Sequence, residues 1–198
     1  MSGPCAQLRI LNLLRVNLSS GGAYQVAGRA VKKSIECWVI RRTEDAQAAV
    51  LLLHKPPSRA IPDGFWQPIT GGIEQGETPR QACLRELYEE TGLRFQAEDL
   101  RPVPGRWVVE LPEQAIHKVL YWVETTEAAV RIAPEEHDDW RWVPLSSVEA
   151  ELHWESNRRT WAAVCGCTQP SVGDGASRDC AQADVRLLGR PRGKHRHQ

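Results

Sequence analysis

The chain has 198 residues and equal numbers of acidic and basic side chains, 25 of each, so no overall field favours nucleic acid or an acidic surface. Hydrophobic residues make up 41% and charged residues 25%, which favours a packed core over an unfolded chain. No apolar run approaches the ~20 residues that span a bilayer, so we expect no membrane contact. The six cysteines match no zinc-binding spacing and are expected to be reduced thiols.

The first segment, residues 1–32, contains no acidic residue. Its stretch LRILNLLRVNL has apolar residues at helical spacing with arginines among them, a pattern that organelle transit peptides also show. The alternative is an unstructured leader, or translation that begins near Val31, and this is the interpretation we favour. The sequence therefore predicts a disordered leader and a cytoplasmic protein, with organelle targeting as the alternative.

Residues 33–165 are predicted to form a domain built from strands around one long helix. SIECWVIRR alternates and AAVLLLHK is a buried apolar run, so we expect two strands joined by a hairpin turn at TEDAQ. Further strands are predicted at FWQPIT, GRWVVEL, HKVLYWVETT and DDWRWVPL, and helices at SSVEAEL and SNRRTWAAV. This order indicates a single α/β or α+β domain. Residues 166–198, rich in Gly, Ser, Pro and Arg, are predicted to be a disordered basic tail.

The segment GETPRQACLRELYEE predicts the long helix and its two ends. Thr78 is expected to be the N-cap residue, with Pro79 at the first helical position and Gln81 completing a capping box. Gly92 is expected to end the helix in a left-handed conformation.

Three glutamates share one side of this helix, because Glu86 and Glu90 lie one turn apart and Glu89 adjoins them. Arg85 is expected to pair with Glu89. Like charges at these spacings repel, and a hard divalent cation such as magnesium would offset the repulsion. A solvated acidic helix face is the alternative, but it does not explain the glycine pair at 71–72.

The stretch GGIEQGETPRQACLRELYEETGL resembles the Nudix box, whose pattern is G-x5-E-x7-R-E-U-x-E-E-x-G-U with U aliphatic. Every fixed position is met, by Gly71, Glu77, Arg85, Glu86, Leu87, Glu89, Glu90, Gly92 and Leu93. The resemblance implies a Nudix fold, with a mixed β-sheet sandwiched between helices. It also implies hydrolysis of a diphosphate linkage in a nucleotide-type substrate, with Mg²⁺ or Mn²⁺ as the cofactor.

The same resemblance implies roles for particular residues. The metal ligands would be Glu86, Glu89 and Glu90, with the carbonyl of Thr70 as a further ligand. Glu86 is the first choice for the proton acceptor, and Arg85 and Glu77 complete the catalytic set as braces. The downstream segment PEEHDDWRWVPL predicts an extra ligand or base at Glu136, with Glu135 as second choice. A solvated turn is the alternative for that segment.

Substrate assignment depends on matches outside the box. GFWQPITGGIEQGET, EEHDDWRWVPL and WESNRRTW are similar to the Nudix branch that includes dihydroneopterin triphosphate pyrophosphatase, which implies a nucleoside or pterin triphosphate. The predicted substrate-binding residues are Trp66, Arg42, Asn157 and Arg158. Trp66 is expected to stack on a ring, although a wedge beneath the helix is the alternative.

Other functions stay open on this evidence. They are hydrolysis of dinucleoside polyphosphates or of RNA 5′ ends, nucleotide sensing without turnover, and isomerisation of isoprenyl diphosphates. The intact acids and Arg85 argue against sensing alone. We expect a small nucleotide-like molecule as the partner, no nucleic acid and no membrane, and a homodimer is possible.

Overall fold

The computed structural model describes residues 23–26, 29–43, 47–168 and 184–188. The predicted LRILNLLRVNL segment, the hairpin residues 44–46 and most of the predicted tail lie outside the described residues. Among the helices that are described, none is long and apolar enough to cross a membrane.

Strands and helices are interspersed along the chain. The described ranges contain ten strands, three helices and one 3-10 turn. The strands are β1 (Ala23–Val26), β2 (Arg29–Arg42), β3 (Ala48–Lys55), β4 (Phe65–Gln67), β5 (Ile69–Gly72), β6 (Arg101–Pro102), β7 (Arg106–Glu110), β8 (Gln114–Thr125), β9 (Asp139–Pro144) and β10 (Asp184–Leu188). The helices are α1 (Pro79–Thr91), α2 (Val148–Glu151), preceded by the 3-10 turn Leu145–Ser147, and α3 (Glu155–Thr168).

Strand β2 is the centre of a mixed sheet. It runs parallel to β8 and antiparallel to β1, β3 and β5. Strand β3 also pairs with β4 and β9, and β7 lies between β8 and β10. In the register of β2 and β5, Glu36 lies opposite Thr70.

Two cores lie on opposite faces of this sheet, because successive side chains of a strand point to opposite sides. On one face, Ile35 and Val39 of β2 pack in one cluster with Leu87 of α1. On the other, Trp38 packs against Trp161 of α3, with ring centroids 5.1 Å apart. The sheet therefore lies between α1 and α3, as predicted.

The ends of α1 follow the sequence signals. The Thr78 hydroxyl accepts a hydrogen bond from the Gln81 amide, and the Gln81 side chain accepts one from the Thr78 amide at 2.9 Å. Gly92 has φ +71 and donates its amide to Tyr88 O at 2.9 Å. The predicted N-cap, capping box and helix end are confirmed.

Other local predictions differ from the structure. Strand β1 and the start of β2 lie within the predicted leader, and β10 lies within the predicted tail. The helix predicted at SSVEAEL is a 3-10 turn and the four-residue α2. It ends because Leu152 is extended, with ψ 126, and forms a β-bridge with Trp66. Tertiary pairing thus overrides local helix propensity.

Candidate active site

Arg85 connects the loop before α1 to the helix itself. It donates two hydrogen bonds to Glu77, at 2.9 and 3.0 Å, and one to the Gly72 carbonyl at 3.0 Å. It also reaches Glu86 at 2.8 Å and Glu89 at 2.9 Å. The hydrogen bonds from Arg85 hold the pKa of Glu77 below its usual range. Arg85 and Glu77 therefore brace the loop against the helix, and the expected pairing of Arg85 with Glu89 is present.

Gly71 makes room for the carboxylate of Glu86. A Cβ added at Gly71 would lie 1.9 Å from Glu86 Cδ, which no real pair of atoms tolerates. Only glycine therefore lets β5 approach α1 at this point. Burial raises the pKa of Glu86, although Arg85 opposes the shift.

Glu90, one turn further along α1, is buried, with 1% of its surface exposed. Neither of its carboxylate oxygens accepts a hydrogen bond of normal geometry from the described residues. Burial, with the charge of Glu86 as the second cause, raises the pKa of Glu90 to about 8, while Lys55 and the Thr70 backbone oppose the shift. Lys55, which itself pairs with Glu136, therefore offsets only part of the cost of burying this carboxylate.

The loop between β8 and β9 lies beside the C-terminal end of α1, where the Arg131 amide donates to the Thr91 carbonyl at 3.0 Å. It is also attached to β3. Lys55 donates to Glu136 at 2.9 Å and holds the pKa of Glu136 below its usual range. His54 Nδ1 lies 2.6 Å from Asp138 Oδ1, and the Asp138 amide donates to the His54 carbonyl at 3.2 Å. These contacts fix the position of the loop.

Through this loop, Glu136 and His137 come together with Glu90. One ligand atom from each of the three residues lies within 4.8 Å of the others. His137 is fully buried, and burial lowers its pKa to about 4, which leaves a neutral imidazole with a free lone pair. This donor set fits a divalent cation, since unpartnered buried carboxylate and imidazole atoms are what such an ion would satisfy.

Glu89 is placed differently from the other box acids. Its side chain is 54% exposed and it pairs with Arg85. Like Glu86, it lies outside the group formed by Glu90, Glu136 and His137, but Glu86 is buried to a greater extent. Glu135 is also exposed.

A cavity of about 530 Å³ opens beside the acids. Glu86, Glu136 and Thr70 contribute to its lining, and so do the lysines Lys32, Lys55 and Lys118. Its apolar lining comes from the β7–β8 hairpin, through Val109, Leu111 and Ile116, and from Trp154 before α3. The cavity thus joins a charged region suited to phosphate to an apolar region suited to a ring.

Trp66, predicted to stack on a substrate ring, is not among the residues that line this cavity. The Arg141 guanidinium lies 3.9 Å from its ring centroid, and the His54 ring centroid lies at 4.8 Å. The Trp66 ring thus packs against protein groups from β3 and β9.

The two arginines predicted to bind substrate also make protein contacts. Arg42 donates to Glu124 at 2.5 Å. Arg158 donates to Glu155 at 3.0 Å and to the Leu152 carbonyl at 2.6 Å, and so ties the start of α3 to the preceding turn. Neither belongs to the cavity lining.

Asn157, the fourth predicted substrate residue, does line the cavity, but its side chain is held by Glu36. Glu36 is fully buried and accepts hydrogen bonds from Asn157 at 3.0 Å, from Trp38 at 3.1 Å, and from Lys118 and Thr160. Glu36 and Lys118 are not among the site residues predicted from the sequence. A signal was present, because Glu36 shares its strand face with Trp38 and Ile40, where a carboxylate is unexpected.

Residues 33–164 match the family model described as the NUDIX domain. The chain belongs to this family. The match corresponds closely to the predicted 33–165 domain, and the mixed sheet between helices agrees with the predicted Nudix fold.

The chain spans between about a third and just over half of the length of the curated relatives described here. The chain is 39% identical over 116 residues to a Myxococcus xanthus protein named octanoyltransferase. The matched region covers 58% of this chain and 31% of that protein. It is 34% identical over 95 residues to the RNA pyrophosphohydrolase of Shewanella woodyi, across 39% of this chain and 55% of the relative. The dihydroneopterin triphosphate pyrophosphohydrolase of E. coli superimposes with TM-score 0.52 and 26% identity, covering 65% and 91% of the two chains.

Proposed function

We propose that this Nudix protein is a metal-dependent pyrophosphohydrolase acting on a nucleotide-like triphosphate that fits its cavity. The observation that carries the proposal is that Glu86 and Glu136 line a cavity of about 530 Å³, while Glu136 also lies in one group with Glu90 and His137. That volume suits a small ligand of nucleotide size. The resemblance in the box and the pyrophosphohydrolase relatives support the reaction class.

The proposed ligands of the cation are Glu90, Glu136, Glu86 and the carbonyl of Thr70. A bound divalent ion would neutralise charge on the phosphates and lower the pKa of a bound water. Glu86 is the proposed proton acceptor, because burial raises its pKa and so makes it a stronger base than an ordinary carboxylate. Glu89 keeps the bracing role that its contact with Arg85 supports.

Three lysines would hold the phosphate chain. Lys118 is positioned by Glu36, Lys55 is positioned by Glu136, and Lys32 lines the same cavity. Their positive charges offset the repulsion between the phosphates and the acidic residues.

We assign the ring-stacking role to Trp154 in place of Trp66, because Trp154 lines the cavity. Stacking of a base on an aromatic side chain is worth about 1–3 kcal/mol. We therefore expect Trp154→Leu to raise KM for a ring-bearing triphosphate by roughly tenfold and to leave KM for inorganic triphosphate within about twofold. Trp66→Leu is the matched control, and an equal rise in KM for that variant would contradict the assignment.

A second candidate is removal of pyrophosphate from RNA 5′ ends. The 34% identity to the RNA pyrophosphohydrolase of Shewanella woodyi favours it. Against it, RNA binding calls for a basic track along the surface, and the formal net charge of this chain is zero. Arg42 and Arg158 are also already paired with Glu124 and Glu155.

The deciding experiment compares kcat/KM with Mg²⁺ for six substrates. They are dATP, dihydroneopterin triphosphate, diadenosine tetraphosphate, ADP-ribose, 5′-triphosphorylated RNA and inorganic triphosphate. We expect the highest value for one of the first two, with pyrophosphate released. A higher value for RNA would favour the second candidate, and saturable nucleotide binding with no turnover would indicate a sensing module.

A further inference from the structure

His137 lies beside the proposed ligands but takes no part in the chemistry described so far. Both of its ring nitrogens and both oxygens of Glu90 are buried without a hydrogen-bond partner. These two residues supply four of the eight such side-chain atoms in the described part of the chain. Each unsatisfied buried group costs about 1–3 kcal/mol. Four in one place therefore indicate a bound group that satisfies them.

The spacing of these atoms suits a cation better than a hydrogen bond. His137 Nε2 and Glu90 Oε1 are 4.0 Å apart, which is too far for a hydrogen bond. Two ligand atoms with bonds of about 2.0–2.2 Å to one ion can be up to roughly 4.0–4.4 Å apart, so both of these atoms could bind the same ion. One carboxylate oxygen of Glu136 lies within 4.8 Å of a ligand atom of Glu90 and of one of His137, and Glu136 is the exposed member of the group. A water or phosphate oxygen can therefore reach the ion from the Glu136 side.

The backbone places His137 in this position without help from a ligand. Its amide donates to the Ala133 carbonyl at 3.0 Å, which closes a tight turn. On either side, Glu136 is held by Lys55 and Asp138 by His54. A ligand presented on a turn fixed at both flanks needs little rearrangement to bind an ion.

We propose that His137 is a direct ligand of the cation bound by Glu90 and Glu136, and that its imidazole shifts the preference of the site from Mg²⁺ toward later first-row ions such as Co²⁺. The inference rests on the metal dependence of the function proposed above. Magnesium prefers oxygen ligands and retains several waters, whereas an imidazole nitrogen suits transition ions. A neutral imidazole in place of a carboxylate also lowers the negative charge around the ion.

The test is pulsed electron paramagnetic resonance of Mn²⁺ bound to the full chain without substrate. We expect coupling to an imidazole ¹⁴N nucleus in the wild type and its loss in His137→Gln and His137→Phe. His153→Phe is the matched control, because His153 Nε2 is also buried without a partner but lies outside the acidic group. That variant should keep the coupling.

Calorimetric titration provides a second readout. We expect His137→Gln to weaken Co²⁺ binding by roughly tenfold or more, a loss seen even for groups that only support ligands, and to change Mg²⁺ binding less. The proposal is overturned if the wild type lacks ¹⁴N coupling or if His137→Gln keeps it. It is also overturned if His137→Phe binds Co²⁺ like the wild type and melts higher without metal, as a buried core histidine would.

The experiment separates this proposal from the proposed function. Metal binding is measured without substrate, so the absence of turnover with every nucleotide would overturn only the function. Should His137→Phe fail to fold, the wild-type spectrum and His137→Gln decide the result.

Discussion

Two glutamates, Glu36 and Glu90, are buried to the same extent, with 0% and 1% of their surfaces exposed, but their surroundings are opposite. Glu36, on the α3 side of the sheet, accepts hydrogen bonds from four side chains that belong to β2, β8 and α3. Glu90, on the α1 side, accepts none from the described residues. A buried charge persists only when it is paired or coordinated. The first carboxylate therefore holds the protein together, and the second is available to an ion.

The hydrogen bonds to Glu36 also hold one wall of the cavity in place. Lys118 and Asn157 line the cavity and both donate to Glu36. Their positions follow from a network inside the core rather than from the substrate. On the side of the cavity where Glu136 lies, the carboxylate of Glu90 and the imidazole of His137 have no such hydrogen-bond partners among the described residues.

The largest expected effect is on stability, from Glu36→Gln. The amide would place donors against Lys118 and Asn157 and leave the Lys118 ammonium, whose side chain is 11% exposed, without its counter-charge. Breaking such a pair costs about 3–5 kcal/mol. Urea unfolding monitored by circular dichroism measures the loss.

Glu124→Gln is the matched control, because Glu124 pairs with Arg42 near the surface. Exposed pairs contribute about 0–1 kcal/mol. If both variants lose the same small amount, Glu36 is not the structural support that the comparison assigns to it.

The next effect is on activity, from Glu90→Gln. We expect turnover with Mg²⁺ to fall by about 10²–10³-fold, because a group that binds the charge-stabilising ion is lost. Initial rates on the preferred substrate measure it. Wild-type turnover in this variant would contradict the metal assignment.

The same variant should be more stable than the wild type in metal-free buffer. Burial raises the pKa of Glu90 from its ordinary 4.5 to about 8. The folded state then binds more protons than the unfolded state between these values, so Glu90 costs stability as the pH rises from about 4.5 to about 8. The advantage of Glu90→Gln should grow over that range in melting experiments with a chelator, and a constant difference would count against it.

The smallest expected effect is on kcat, from Gly71→Ala, which would displace Glu86. This third carboxylate pairs with Arg85. Gly71→Ala would place a Cβ 1.9 Å from Glu86 Cδ and displace the carboxylate. We expect kcat to fall by about 10²-fold, the cost of a shift near 1 Å.

Gly72→Ala is its control, since the nearest atom to a Cβ there is Lys32 Cε at 3.8 Å. Its effect on kcat should be much smaller. Equal losses would show that glycine flexibility, and not room for Glu86, is what this turn requires.

Much of the fold was predictable because its signals are local. The capping box at Thr78 and Gln81, the glycine end at Gly92 and the strand at Ala48–Lys55 each depend on a few neighbouring residues. Strands β1, β6 and β10 were missed because they are short and acquire their structure from pairing with other strands.

The site was predictable in part for the same reason. The box places Glu86 and Glu90 on one helix face and Arg85 beside Glu77, which requires only helical geometry and one turn. Local geometry does not show whether Trp66 or Trp154 lines the cavity. Which of them lines the cavity depends on how β4 packs against β3 and β9.

The sequence by itself determined the family, the helix that carries the acids and the alternation that divides the sheet into two faces, because these follow from spacing along the chain. Only the tertiary structure decided that Glu36 is satisfied while Glu90 is not, and that His137 joins Glu90 from 47 positions away in the chain. The physical reason is that the state of a buried charge depends on which donors other elements bring to it. Those donors come from strands and loops that meet only when the sheet has formed.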